Sequence, residues 1–304
     1  GLDDVLSGVL SRLQPAADRA RAKNGYYGYT EISEVIEQVL FRSDEGAKAL
    51  ADIKQLARSP SKPLIYARIV ANDGTSVALP LGLLDVGRDG PLGRYARILS
   101  PLRYERAPTS TGCVSRWAIL ANGPVGELPD RMKPAYSDWP AAKEYLQTRC
   151  EKDLAAKPAE ALFILAHHPT DGGELIGFDA NETTTVSGLT RCYPPGSIGF
   201  FFLCQFANPT PSQVPVTCLE RFNQNGLDAA IASPFSLDEA FARHFLAALE
   251  GSVRDLSRRS SFGDLYDTTV QRLKKDFGDK DADEAFELAL IGNQDLMICG
   301  STDE

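Results

Sequence analysis

Three uninterrupted apolar blocks constrain this chain more than any other feature: Trp117-Ala118-Ile119-Leu120, Ala161-Leu162-Phe163-Ile164-Leu165-Ala166, and Ile198 to Leu203. Each is the length of a strand and shows no alternation of polar and apolar residues. A strand of that kind is covered on both faces, as in a parallel sheet with helices above and below. A fourth block, Asp228-Ala229-Ala230-Ile231-Ala232-Ser233, follows. Between and after the blocks lie helical stretches: one capped by Asp138 and running to about Lys157, one around Pro215–Asn223, then about Leu237–Leu256 and Phe262–Phe277. The stretch Leu288–Ile298 returns to strand character. The pattern predicts an α/β fold with a largely parallel sheet. In such sheets the working residues sit beyond the carboxyl ends of the strands.

Residues 1–60 read differently. Val5, Leu6, Val9, Leu10 and Leu13 have helical spacing, with a break expected at Pro15. Thr30 before Glu31 and Glu34 has the form of a helix N-cap, and Ile32, Val35, Ile36, Val39 and Leu40 share one face of the helix or helix pair that follows. Ser59-Pro60-Ser61-Lys62-Pro63 closes this N-terminal helical segment. Beyond it, Leu64–Val70 and Ser76–Leu79 flank Asn72-Asp73-Gly74, a hairpin signal, and Tyr95–Leu99 reads as a further strand.

With 43% hydrophobic and 24% charged residues the composition is that of a soluble globular chain. The net charge of -9, with no basic stripe, disfavours binding of nucleic acid. No apolar run approaches the roughly 20 residues that span a bilayer, and no signal peptide is apparent at the start. Residue 1 is Gly rather than Met, which fits a segment excised from a longer protein.

Six cysteines are scattered (113, 150, 192, 204, 218 and 299), none in a CxxC pair, beside only three histidines (167, 168 and 244). No zinc site of usual spacing is visible, and free thiols in a reducing cytoplasm are expected. Cys204 ends the third apolar block, and His167 and His168 follow the second. A thiolate becomes a useful nucleophile when an imidazole takes its proton. Successive strand ends can bring the two groups together. The plain reading of such a cysteine is a buried small hydrophobe, and of such a histidine a surface or capping residue. The other cysteines have helix or loop positions that packing explains. His244, between Phe241 and Phe245, reads as a core or surface packing residue.

At these residues the chain resembles the CHAT family of caspase-like cysteine peptidases. Leu162–Pro169 resembles that family's strand ending in His-Gly, and Phe201-Phe202-Leu203-Cys204-Gln205 its strand ending in Ser-Ala-Cys. Asp228–Pro234 followed by Asp238-Glu239-Ala240 is similar to its strand, loop and helix after the nucleophile. Leu290–Leu296 resembles its Gly-Asn-Pro-Asp-Leu ending, and Leu79-Pro80 with Leu83-Leu84 its Pro-Trp-Glu-Leu-Leu segment. The likeness runs in order from about residue 64 to 299.

The resemblance implies a caspase-like, mostly parallel sheet flanked by helices over residues 61–304. It implies peptide-bond hydrolysis in protein substrates by a Cys204 nucleophile with His167 or His168 as base, and no cofactor. It also implies control by an upstream sensor or regulatory module, in a cytoplasmic setting of bacterial stress or defence. Asp171 and Asp238 are the candidate substrate-binding carboxylates. Three departures stand out: Pro169 in place of the family's Gly, and bulky Phe202 and Leu203 before the cysteine. They keep open a non-catalytic scaffold with this fold and, further off, a different thiol hydrolase. A gapless overlay selects His168. The oxyanion hole selects His167, because Pro169 has no N–H to donate.

Overall fold

The computed structural model describes residues 2–23, 27–70, 76–77, 79–101, 113–121, 132, 135–136, 142, 144–145, 159–166, 175–179, 182–185, 193–203, 218–234 and 236–301. Three helices come first: α1 (Leu2–Arg21), α2 (Tyr29–Leu40) and α3 (Asp44–Leu56). Strands β1 (Leu64–Tyr66), β2 (Ile69–Val70), β3 (Ser76–Val77) and β4 (Arg97–Ser100) follow, with single 3-10 turns at Leu81–Leu83 and Leu92–Arg94. Then come β5 (Trp117–Ala121), β6 (Ala135–Tyr136), β7 (Ala161–Leu165), β8 (Leu175–Asp179), β9 (Glu182–Thr185) and β10 (Ser197–Phe202). The rest is α4 (Cys218–Asn225), β11 (Leu227–Ala232), α5 (Glu239–Arg254), β12 (Ser260–Ser261), α6 (Phe262–Phe277), α7 (Asp279–Glu284), a 3-10 turn at Ala285–Glu287, β13 (Ala289–Gly292) and β14 (Met297–Ile298).

Eight strands form the central sheet in the order β1-β4-β13-β11-β10-β7-β5-β6. Every neighbouring pair is parallel except β11 and β13. The sheet therefore has five strands running one way and three the other, joined at that antiparallel seam. This is the expected α/β class, a mostly parallel sheet flanked by helices. The expected hairpin exists as β2 and β3, but Leu64–Tyr66 leaves it to pair with β4 in the main sheet. The turn at 72–74 and the helix expected from Asp138 lie outside the described residues, apart from the isolated positions 142 and 144–145.

Strands β5, β7 and β10 are buried at every position, as two-sided cover requires. Alternate residues feed two cores. Phe163, Leu165, Phe200, Phe202 and Ile231 face α1, α2, α5 and α6. Leu162, Ile164, Phe201, Leu203 and Ala230 face Tyr193 and the α4 residues Leu219 and Phe222. Phe202 stacks on Phe163 with ring centroids 4.9 Å apart and meets Phe245 of α5 at the same distance. Burying one such side chain is worth about 2–3 kcal/mol.

The N-terminal helices join the first of these cores through Leu13, Ala16, Ala17, Ala20, Ile32 and Ile36. Helix α1 runs through Pro15 without ending there. That proline sits on the exposed face, and burial of its apolar neighbours offsets the lost backbone bond. Thr30 is not a cap, because α2 begins at Tyr29 with Gly28 as its N-cap and no side-chain bond. Ser43 does cap α3, accepting from the Gly46 N–H at 3.0 Å. No helix among the described residues is long and apolar enough to cross a membrane.

Candidate functional site

Strands β7, β10 and β11 finish side by side. Leu165 is the register partner of Phe202, and Phe201 that of Ala232. The Ala166 N–H donates to the Phe202 carbonyl at 3.4 Å. Ala166 and Leu203, one residue past the last register pair, are both buried. The candidate residues that come next in the chain, His167, His168, Asp171 and Cys204, lie outside the described residues.

The loop after β11 starts at this end of the sheet. Ser233 is buried, and the Ser236 N–H donates to Gln14 Oε1 of α1 at 2.8 Å. Asp238, a candidate substrate ligand, is the N-cap of α5, accepting from the Ala240 N–H at 2.8 Å. The starts of β13, β4 and β1 lie at the same end, since Ala289 is the partner of Ala232. A shallow cleft opens beside them, with Lys62, Arg97, Asp267, Phe286 and Leu288 among its walls. Arg97 is held by Asp264 at 2.8 Å, Asp267 at 2.6 Å and Gln294 at 2.9 Å.

The Leu290–Leu296 motif serves the fold at the opposite end. Gly292 has φ 84°, a backbone conformation that favours glycine. The Asn293 N–H donates to the Asp228 carbonyl at 2.8 Å, and Asn293 Oδ1 accepts from the Asp295 N–H at 3.0 Å. Leu79, Leu83 and Leu84 of the other short motif are core residues.

The expectation of free thiols fails for two cysteines. Cys113 and Cys299 form a disulfide with Cα atoms 5.0 Å apart. The pairing follows from the backbone, where the Val114 N–H donates to Met297 and the Cys299 N–H to Val114. This bridge sits before β5, at the sheet end away from Ala166 and Leu203. Cys150, Cys192 and Cys204 lie outside the described residues. His244 is a surface residue, paired with Asp281 at 2.5 Å and stacked on Phe277 at 4.1 Å between ring centroids.

Sequence reasoning missed a buried charged cluster under α1. Asp283, Glu284 and Glu287 are all buried. Arg94 holds Asp283 with two bonds of 2.7 and 2.8 Å. Arg21 of α1 bonds Glu284 at 2.9 Å and also Glu287, which accepts from the Tyr27 hydroxyl as well. Burial pushes the Glu284 and Glu287 carboxyls up to about 7, against the opposing pull of the Arg21 guanidinium. The cluster joins residues some 260 positions apart, so no local motif announces it.

No protein-family model and no curated protein sequence matches this chain. Among solved structures it is similar to one described as a protease, with a TM-score of 0.50 and 11% identity over 97% of this chain and 76% of that one. The Arg-specific cysteine proteinase gingipain R (RgpB) aligns with a TM-score of 0.49 at 11% identity, over 88% of this chain and 71% of that one. The complex of Porphyromonas gingivalis RgpB pro- and mature domains gives 0.48 at 12%, over 88% and 72%. Likeness at such identity concerns the fold alone, and what this chain shares with the first of these structures is an α/β fold.

Proposed function

We propose that the chain is a cysteine endopeptidase of the CHAT kind, with Cys204 as nucleophile and His167 as general base. One observation carries the reading: β7 and β10 are neighbours, parallel and in register to their last residues, Leu165 opposite Phe202. Strands lie about 4.8 Å apart, and each further residue moves its Cα by about 3.8 Å. With one residue on each strand between that pair and the candidates, the Cα atoms of His167 and Cys204 are within roughly 20 Å at the extreme. They are about 5 Å apart if both strands simply continue. The same pleat alternation supports His167 over His168. Leu165 and Phe202 share one core, Ala166 and Leu203 the other. If both strands continued, one more step would return residues 167 and 204 to a common face and send residue 168 to the opposite one.

In this mechanism His167 takes the Sγ proton of Cys204, and the thiolate attacks the scissile carbonyl carbon. The oxyanion is held by the N–H groups of Cys204 and His168, a donor that Pro169 cannot supply in the other register. The imidazolium then protonates the leaving amine, and water hydrolyses the thioester with His167 again as base. No metal or cofactor takes part. Asp171, and the Asp238 oxygen not used in capping, are the candidate substrate-binding carboxylates. An upstream module and a cytoplasmic setting belong to the same reading. Against the scaffold alternative, Phe202 and Leu203 are core side chains on opposite faces, so packing accounts for their bulk.

The test is cleavage of a protein substrate by paired variants. Cys204→Ala and His167→Ala should abolish turnover, and His168→Ala should retain part of it. Iodoacetamide should label Cys204 rapidly at neutral pH. Full cleavage by the Cys204→Ala protein would remove the assignment. A dead His168→Ala beside a nearly normal His167→Ala would reverse the choice of base.

A further inference from the structure

The central sheet ends at β1, whose inner neighbour is β4. The two strands are parallel, with Leu64 opposite Arg97 and Tyr66 opposite Leu99. The Arg97 N–H donates to the Pro63 carbonyl at 2.9 Å, and the Ala67 N–H to the Leu99 carbonyl at 2.9 Å. Backbone groups of alternate residues in a strand point to opposite sides. Pro63, Ile65 and Ala67 therefore face β4, and the N–H and C=O groups of Leu64 and Tyr66 face away from it. Among the described residues no hydrogen bond reaches those outer groups. Such an edge is a template for one more strand. The Tyr66 side chain on it is 64% exposed, more than any other large apolar residue described.

The charge around this edge selects its occupant. Residues 53–72 carry Lys54, Arg58, Lys62 and Arg68 and no acidic residue, in a chain of net charge -9. Two of the four are balanced from other elements, Lys54 by Glu37 of α2 at 3.7 Å and Lys62 by Asp267 of α6 at 2.8 Å. Arg97 of β4 is balanced by Asp264 and Asp267. Arg58 and Arg68 are exposed and pair with no acidic group among the described residues. Arg68 follows Tyr66 by two residues, at most about 8 Å between Cα atoms. A second copy of β1 laid antiparallel on the first, Leu64 against Tyr66, sets Lys62 and Arg68 of the two copies opposite each other, and like charges so placed are destabilising. An extended segment with carboxylates at its ends meets the two arginines instead.

We propose that the outer edge of β1 is a docking site for an acidic, extended segment of another protein, which adds a strand to the sheet through the Leu64 and Tyr66 backbone groups and sets carboxylates against Arg58 and Arg68. Main-chain bonds supply affinity in this mode of recognition, and side chains supply the choice of sequence. The edge lies four strands from β10, about 19 Å. It is thus separate from the candidate catalytic strand ends, and the proposal is independent of the peptidase reading.

The probe is a fluorescein-labelled peptide, Glu-Glu-Val-Thr-Val-Glu-Glu, titrated against the whole chain and read by fluorescence anisotropy. One control peptide carries Lys in place of each Glu, and another Pro in place of Thr. The acidic probe should bind about tenfold more tightly than either control, and added salt should weaken it. Arg58→Gln and Arg68→Gln are surface changes and should each weaken it about threefold. Tyr66→Pro removes an outer N–H without taking a bond from the ladder to β4, and should weaken binding about tenfold. Tyr66→Ala keeps that N–H and should cost less. Equal binding of the acidic and basic peptides, or unchanged affinity in the Arg58→Gln, Arg68→Gln double variant, would overturn the acidic occupant whether or not Tyr66→Pro folds. A wild-type chain that binds no probe at about 1 mM would overturn the site. A concentration-dependent dimer in light scattering that Tyr66→Pro disperses would give the edge to a second copy, and overturn the proposal too.

Discussion

Replacing Glu287 by Gln should flatten the dependence of stability on pH. Glu287 is fully buried, and Glu284 nearly so, with the single cation Arg21 between them. Both carboxyls are raised from 4.5 to about 7. The folded chain therefore holds protons on them that the unfolded chain releases above pH 4.5. Stability from these groups is fully present below about pH 4.5 and declines as pH rises through about 7. A change from 4.5 to about 7 corresponds to about 3 kcal/mol for one carboxyl. The two share one guanidinium, so removal of one relieves its neighbour too. Glu31, Asp264 and Asp279, whose carboxyls are lowered by cationic partners, tilt the curve the other way. The informative quantity is thus the difference between wild type and Glu287→Gln, from urea unfolding at pH 5, 6, 7 and 8. The variant should be the less stable at pH 5, because its amide offers Arg21 and Tyr27 a poorer partner. The gap should close by about 2–3 kcal/mol by pH 8. Parallel curves across that range would refute the assignment of a neutral-pH proton to this cluster.

Reducing the Cys113–Cys299 bridge, which spans 186 residues of sequence, should cost about 3 kcal/mol of stability; an unchanged urea midpoint with and without reductant would contradict it. Tyr193→Phe should be neutral or stabilising by about 1 kcal/mol, because the buried Tyr193 hydroxyl has no hydrogen-bond partner among the described residues. A loss above about 1 kcal/mol on thermal unfolding would show that the hydroxyl is satisfied. Gly292→Ala should cost about 1–2 kcal/mol, since φ there is 84°, and wild-type stability would rule out that backbone conformation.

The parts of the fold that were legible in the sequence are those in which burial on both faces leaves a continuous apolar signature. Strands β5, β7, β10 and β11 fall within a residue or so of their apolar blocks, and α5 and α6 within two or three residues of their helical stretches. Short strands at the sheet margin carried less. The run around Tyr95–Leu99 becomes Arg97–Ser100, and Leu64–Tyr66 parts from its hairpin, because pairing with a distant strand decided both. The reversed direction of β13 has no local signal. Nor does the acidic run 279–287, which by pattern belongs on a solvated helix. Asp283, Glu284 and Glu287 are buried there only because Arg21 and Arg94 arrive from elsewhere in the chain.

The candidate site was legible in a narrower sense: the sequence named the strand ends, and the register makes those ends neighbours. Phe202 shows how a motif can be misread on the way. Against the CHAT pattern, with a small residue near this place, a phenylalanine two positions before the cysteine looks like damage to an active site. In the fold its ring packs against Phe163, Phe241 and Phe245, beneath α5. The residue size at position 202 is therefore set by the helix that covers this face of the sheet. If α5 determines that choice, Phe202→Ala should lower stability by about 3–5 kcal/mol. Where enough folded protein survives, it should leave the reactivity of Cys204 toward iodoacetamide within a few-fold of wild type. A much slower thiol in a protein shown to be folded would mean that Phe202 supports the nucleophile directly, and the family's small residue would then be a catalytic requirement that this chain meets in another way.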